Sequence, residues 1–340
     1  MDNSRISLVS FLQTFGIVLV VIGHSSYGAP VSPWWHTWIY SFHMPLFMFI
    51  SGLLLRYGCE KRKMQLSDLS LWGKQGFIWK KIKRLMIPYW FISTLAYFPK
   101  VLLSSFAARP VTFSFAEYFN MLIFPWDNVI IFFWFLPTLF MIFLFVAFGA
   151  KCLKKLSIHI PHSICLICLL LLHLFNPLAD IDILNINGVI SYLLYFILGY
   201  YCYHLVMDRI PYRHIYIYSG GVVVFSIVLI FFLPPFVGKD VLTALTGILF
   251  SIFLANIYEK NSWHFLDHLF GASYAIYLFS WFPQTASQQI FLGITHVAWQ
   301  VGSILAIITG VYIPLLVYKW ISKYKYDSIG KYVAVLTGQQ

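Results

Sequence analysis

Long apolar stretches broken by short polar ones recur along the whole chain. The first, "RISLVSFLQTFGIVLVVIGHSS" (residues 5–26), carries a single cation and no carboxylate. It is too long for the alternation of a half-buried strand and too uniformly apolar for a helix with one wet face. A helix of about 20 such residues crosses the hydrocarbon core of a bilayer. Read this way, the pattern gives about ten spans, at 8–26, 37–55, 85–105, 129–149, 160–177, 189–207, 215–235, 241–258, 269–287 and 297–319. The predicted fold is all-α: a polytopic integral membrane helical bundle in which residues 1–340 form one membrane domain. No internal repeat is visible, and the longest polar connections lie at 56–84 and 106–128. The first run does not read as a cleaved signal peptide. Its positive region is Arg5 alone, no small-residue cleavage site is evident, and many more spans follow.

Charge sets the orientation. With the N-terminus in the cytoplasm and the chain alternating sides, the inside loops hold 20 of the 23 Lys and Arg residues. They are Arg5, the cluster from Arg56 to Arg84, Lys151, Lys154, Lys155, Arg209, Arg213, Lys260, and Lys319, Lys323, Lys325 and Lys331. Only Lys100, Arg109 and Lys239 fall outside. This separation is the positive-inside pattern, and it places both termini in the cytoplasm. The net charge of +11 is therefore topological and gives no reason to expect a nucleic-acid partner. Composition agrees: 10% of residues are charged, against roughly a quarter in soluble domains. Five cysteines lie mostly in spans. Cys165 and Cys168 form a C-x-x-C inside "SICLICLLLLHLF", where packing is the ordinary role.

Two histidines interrupt this apolar pattern. The first span runs outward, so His24 lies near its outer end. The second runs inward, so His43 in "SFHMPLFMFISG" lies one or two turns below the same surface. A lone intramembrane imidazole either satisfies a backbone carbonyl or serves a function. Two at similar depth on adjacent antiparallel spans favour function. Imidazole takes up and returns a proton near neutral pH, as activation of a hydroxyl requires. No Cys, His and carboxylate set with metal spacing accompanies them, so no metal site is expected.

The third feature is "WKKIKRLMIPYW" (79–90), where Lys80, Lys81, Lys83 and Arg84 crowd the cytoplasmic mouth of a span. Two readings stand. These cations anchor the span by reaching lipid phosphates. Alternatively they bind a polyphosphate, with Lys81 and Arg84 at i, i+3 on one helix face. The aromatic stretch "FAARPVTFSFAEYFNMLIFPWDN" (106–128) lies either in the membrane interface or over a binding cleft.

Six stretches together carry a family resemblance: "GIVLVVIGHS" (16–25), "FHMPLFMFISG" (42–52), "KKIKRLMIPYW" (80–90), "FWFLPTLF" (133–140), "LLYFILGYY" (193–201) and "GASYAIYLFSW" (271–281). In these the chain resembles the acyltransferase family 3 membrane proteins, particularly the fucose 4-O-acetylase-like branch, over essentially its whole length. The resemblance implies a bacterial inner-membrane enzyme of about ten spans. Such an enzyme moves an acetyl or other short acyl group from cytoplasmic acyl-coenzyme A to a hydroxyl of a surface glycan or its lipid-linked precursor. It implies no permanently bound cofactor, acyl-coenzyme A being the donor substrate. The family's catalytic histidine matches His24, the histidine of its F-H-M-P-L-F stretch matches His43, and its basic R-x-x-R matches Lys81 and Arg84.

Two positions depart from the family. Gln13 stands where Arg or Lys is common, eleven residues before the catalytic histidine. It joins the expected donor-binding residues as a hydrogen-bonding group that cannot neutralise a phosphate. Ser280 stands where the family's late Y-L-L-H stretch ends in histidine. Two other classes remain open: an exporter of glycan or lipid precursors, and a non-catalytic membrane protein on the same fold. Pro45 and Pro137 inside spans suit the first, Gln13 and Ser280 the second.

Overall fold

The structure, a computed structural model, describes residues 3–26, 29, 31–102, 104, 110–207, 214–290, 298–324 and 326–339. Arg109, Arg209, Arg213 and Lys325, used above to orient the spans, lie outside the described residues. The helices in chain order begin with α1 (Asn3–Gly23), α2 (Trp34–Tyr40), α3 (His43–Lys61), α4 (Phe77–Lys81) and α5 (Ile87–Leu102). Then come α6 (Phe115–Ile123), α7 (Phe135–Lys155), α8 (His162–Leu174), α9 (Ile186–Tyr201), α10 (Tyr203–Met207) and α11 (Ile215–Ile227). The last are α12 (Lys239–Lys260), α13 (Ser273–Phe279), α14 (Trp281–Gln288), α15 (Trp299–Tyr324) and α16 (Ser328–Leu336). Among the described residues there is no strand.

Among the described residues, seven helical stretches are long and apolar enough to cross a membrane: Trp34–Lys61, Phe77–Leu102, Ile131–Lys155, Ile183–Tyr201, Ile215–Phe232, Lys239–Lys260 and Trp299–Tyr324. Two apolar helices are shorter, Ser7–Gly23 and His162–Leu174. The span read at 269–287 is instead two short helices, α13 and α14, meeting at Ser280.

Proline explains this break and two others. A proline in a helix lacks the N–H that would bond the carbonyl four residues back, and its ring crowds that carbonyl. Pro283 acts on Phe279, the last residue of α13. Pro45 acts on Ser41, where α2 gives way to α3. Pro88 acts on Arg84, inside a π-helical turn over Ile82–Met86 that joins α4 to α5. Membrane helices tolerate such breaks where other groups take up the freed backbone atoms.

The chain divides into two compact units, Met1–Tyr57 with Tyr195–Tyr318, and Gly58–Leu194 with Lys319–Gln340. In the first, α1 packs on α12 and α13. Phe11 meets Tyr258 at 4.6 Å between ring centroids and Phe15 meets Phe250 at 6.2 Å, so α1 and α12 run antiparallel. Trp38 ties α2 to the same group: its indole N–H donates to the Ser226 hydroxyl (3.2 Å), and its ring lies 5.6 Å from Phe250. Backbone meets backbone where α3 packs on α9. A Cβ on Gly52 would overlap the Phe196 carbonyl oxygen, and one on Gly199 would overlap the Phe49 carbonyl oxygen. Small residues permit such backbone contact between membrane helices. Gly52→Ala is therefore expected to destabilise the folded protein by about 3 kcal/mol, since backbone cannot move aside as a side chain does. Thermal unfolding in detergent, compared with Gly58→Ala where a Cβ meets nothing within 4 Å, measures this.

Several buried polar groups of the second unit pair within it. The Asn128 amide donates to the Ser93 hydroxyl (2.9 Å). The Asn185 amide donates to Thr138 (2.7 Å), and the Asn185 carbonyl accepts from the Trp126 indole (3.0 Å). Trp126, Trp134 and Tyr192 stack in sequence at 5.2 and 5.3 Å. Asp68, outside the membrane-spanning stretches, pairs with Lys154 at 2.5 Å, and the lysine holds that carboxyl below its usual range.

Candidate active site

The site begins where α1 ends. The last four carbonyls of a helix have no partner within it, and the bilayer offers no water in their place. Here side chains supply the donors. The Ser25 hydroxyl bonds the Ile22 carbonyl (2.6 Å). From α14, Gln284 donates to the Val21 carbonyl (2.8 Å) and Gln288 to the His24 carbonyl (3.1 Å). From α15, Ser303 donates to the Ser25 carbonyl (2.7 Å). The backbone that carries His24 is thus held from two other helices of its own unit.

The break imposed by Pro45 places the second histidine. His43 is the first residue of α3 and is 4% exposed. Its Nδ1 lies 2.9 Å from the Ile39 carbonyl. A carbonyl only accepts, so Nδ1 carries the proton, and in the neutral ring Nε2 bears the lone pair.

The same break leaves Tyr40 at the end of α2, between the two imidazoles. Its hydroxyl lies 3.3 Å from His24 Nδ1. Its ring centroid is 5.9 Å from that of His24 and 4.9 Å from that of His43, both edge-on. His36, one turn earlier on α2, stacks on Tyr40 at 4.0 Å with 22° between planes. The structure thus gathers His24, His36, Tyr40 and His43 about one phenol ring. His24 and His43 are visible in the sequence as interruptions of apolar runs. His36 and Tyr40 are not, because "WWHTWIY" reads as an interfacial aromatic segment; their i, i+4 spacing is the available signal.

Gln13 sits half-buried on α1, eleven residues before His24. At 1.5 Å per residue the two are roughly 16 Å apart along the axis, so they do not meet. Ser280, 1% exposed, has a hydroxyl with no hydrogen-bond partner among the described residues.

Lys81 and Arg84 belong to the second unit. Lys81 ends α4, and its Nζ lies 3.4 Å from the centre of the Phe143 ring and 5.3 Å from that of Phe77. Arg84 is exposed, and its Nη1 donates to the Gly338 carbonyl at 3.5 Å. The shared face expected from i, i+3 spacing assumes an α-helix. The π turn bonds i to i+5 and adds a residue to the turn. The two side chains therefore diverge, Lys81 toward α7 and Arg84 toward the residue two beyond α16. Their charges remain electrostatic neighbours, together with Arg62.

Neutral imidazoles beside a phenol, at the polar end of a membrane helix, can take a proton from a hydroxyl and return it. Among the described residues, no three His, Cys, Asp or Glu side chains are placed to hold a metal ion. A family model described as "Acyltransferase domain" (Acyl_transf_3) matches residues 9–319, a range that contains Gln13, His24, His43, Lys81, Arg84 and Ser280. The chain belongs to this family: it is a multi-pass helical membrane acyltransferase. No curated protein and no solved structure matches it.

Proposed function

We propose that this protein is an O-acyltransferase, of the fucose 4-O-acetylase-like branch, in the inner membrane of a bacterium. It moves an acetyl group from cytoplasmic acetyl-coenzyme A to a hydroxyl of a surface glycan or its lipid-linked precursor. The observation that carries this reading is the placement of His24 and His43 against one tyrosine, in a chain of an acyltransferase family.

His24 is the general base. Its neutral ring takes the acceptor's proton as the hydroxyl oxygen attacks the thioester carbonyl. The tetrahedral intermediate collapses, the carbon–sulfur bond breaks, and the departing thiolate takes the proton from the imidazolium. The products are an O-acyl ester and free coenzyme A. His43 holds the acceptor. Lys81 and Arg84 bind the donor's phosphates, and Gln13 bonds a neutral part of the donor. Ser280, buried with its hydroxyl unmatched, is a further contact for a substrate oxygen.

The test uses the purified protein in lipid nanodiscs with acetyl-coenzyme A and alkali-deacylated cell-surface glycan, followed as release of free thiol. Glycan-dependent thiol release is expected. An exporter or a non-catalytic membrane protein releases none. Mass spectrometry of glycans from a deletion strain then identifies the acylated sugar.

Sidedness gives a second expectation. Reporter fusions at about residues 110–125 read outside, and those at about 65–75 and after 325 read cytoplasmic. A cytoplasmic reading at 110–125 overturns both the orientation and the outward placement of His24.

A further inference from the structure

We infer that the exposed face of Trp126 is the platform on which a sugar ring of the acceptor rests. This deepens the proposed function and rests on its glycan acceptor. Trp126 lies in the short connection between α6 and α7, in the segment that the reporter fusions test for an outside placement. One face of its indole stacks on Trp134 at 5.2 Å with 21° between planes, and Trp134 stacks in turn on Tyr192 at 5.3 Å and 20°. Trp134 is buried, so the stack is rooted in the interior, whereas Trp126 is 46% exposed. The N–H edge of Trp126 is also in use, donating to the Asn185 carbonyl at 3.0 Å. With one face and that edge occupied, the exposure belongs mostly to the opposite face.

Tryptophan at a membrane interface is ordinary, and there its polar edge meets headgroups and water. Trp126 differs: its N–H turns inward, to an asparagine that is 1% exposed. Asn185 is itself fixed. Its amide donates to Thr138 at 2.7 Å, and its carbonyl also accepts from the Gly188 N–H at 3.3 Å. Gly188 lacks the Cβ that would overlap the Asn185 side chain. Leu184 and Asn185 both have positive φ, 49° and 54°, a region that leucine rarely adopts. The chain thus carries strained backbone where it fixes the orientation of one exposed ring, and membrane anchoring alone does not require that. The chemistry of the surface selects the ligand. The indole face carries negative π density. One face of a sugar ring is a set of C–H bonds polarised by neighbouring oxygens, and its rim carries hydroxyls. Acceptors for those hydroxyls stand beside the indole in sequence. The exposed Asn120 amide donates to Asp127 Oδ2 at 2.7 Å, which holds the exposed carboxylate in place and leaves Asp127 Oδ1 and Asn120 Oδ1 to accept. A rigid apolar surface with a few placed polar groups is the general form of a ligand site.

The test compares Trp126→Ala, Trp126→Phe and Phe119→Ala in nanodiscs. Phe119, on α6, is 57% exposed and stands for an aromatic that only meets the interface. Acceptor KM is read as thiol release with acetyl-coenzyme A, and binding of alkali-deacylated glycan is read by calorimetry without donor. Trp126→Ala is expected to raise acceptor KM and Kd about ten- to a hundredfold, the range for one lost aromatic anchor, with kcat and the KM for acetyl-coenzyme A unchanged. Trp126→Phe keeps a smaller ring without its tether and should fall between. Phe119→Ala should match the wild type. Wild-type glycan affinity in Trp126→Ala, or equal losses in Trp126→Ala and Phe119→Ala, overturns the inference. If Trp126→Ala does not accumulate, Trp126→Phe decides, and wild-type affinity there overturns it. The two readouts separate the two levels. Glycan that binds through Trp126 without thiol release sinks the acyl-transfer reading and keeps the platform. Glycan-dependent thiol release that is indifferent to Trp126 does the reverse, and glycan that neither binds nor reacts sinks both.

Discussion

Replacing His24 by glutamine will cut turnover by roughly 10²–10⁴-fold, the usual contribution of a general base, while donor binding survives. Glutamine fills much of the same space and keeps a hydrogen-bonding side chain, but it cannot take a proton. The position will not collapse around it, because the local backbone is held through carbonyls by Gln284, Gln288 and Ser303 rather than through the imidazole. Any loss therefore reports chemistry more than folding. His24→Ala should be no more active than His24→Gln. His43→Ala should cost less, or raise the acceptor KM while sparing kcat, since a group that only holds the acceptor contributes to binding. The measurement is steady-state thiol release, with acetyl-coenzyme A affinity read separately by calorimetry. Near-normal turnover by His24→Gln makes His24 structural and transfers the base to His43.

Neutralising Lys81 and Arg84 together will weaken donor binding by about two to four orders of magnitude. Two charge-assisted contacts at ~1.5–3 kcal/mol each give that range. The lower end is expected here, because neither cation is idle without donor. Lys81 rests over the Phe143 ring and Arg84 bonds the Gly338 carbonyl, and each must leave a partner to meet a phosphate. Lys81→Met keeps the aliphatic stem against Phe143 and removes the charge. Arg84→Gln keeps a donor for Gly338. These two substitutions therefore separate phosphate recognition from packing. Calorimetry with acetyl-coenzyme A reads the result. Unchanged donor affinity with a fall in membrane insertion makes the pair an anchor and nothing more.

The helical membrane class was legible because apolar runs of span length admit few other structures. What hydropathy hides is where those runs break. A window of about 19 residues averages over a single proline. Yet each of three breaks falls four residues before one: Ser41 before Pro45, Arg84 before Pro88 and Phe279 before Pro283. Those breaks set the direction of His43, divide Arg84 from Lys81 and leave Ser280 at a junction. Of the site itself, His24 and His43 announced themselves as polar groups in apolar runs. Tyr40 and His36 did not, since aromatics at a span end are ordinary. Gln284, Gln288 and Ser303 had no complementary side chain to betray them, because their partners are backbone carbonyls present at every residue. The division into two compact units left no trace in hydropathy, as apolar spans recur through both.

The π turn over Ile82–Met86 also bears on the length of this segment apart from its composition. Such a turn holds one residue more than the α turn it replaces. Delete any one of those five residues and the segment can close as ordinary α-helix. The turns on either side then keep their facing, because five residues of π turn advance about as far round the axis as four of α-helix. Phe77 and Lys81 stay on the side they share with Phe143. A single-residue deletion is thus absorbed here, where the same deletion in plain α-helix would turn the cations by about 100°.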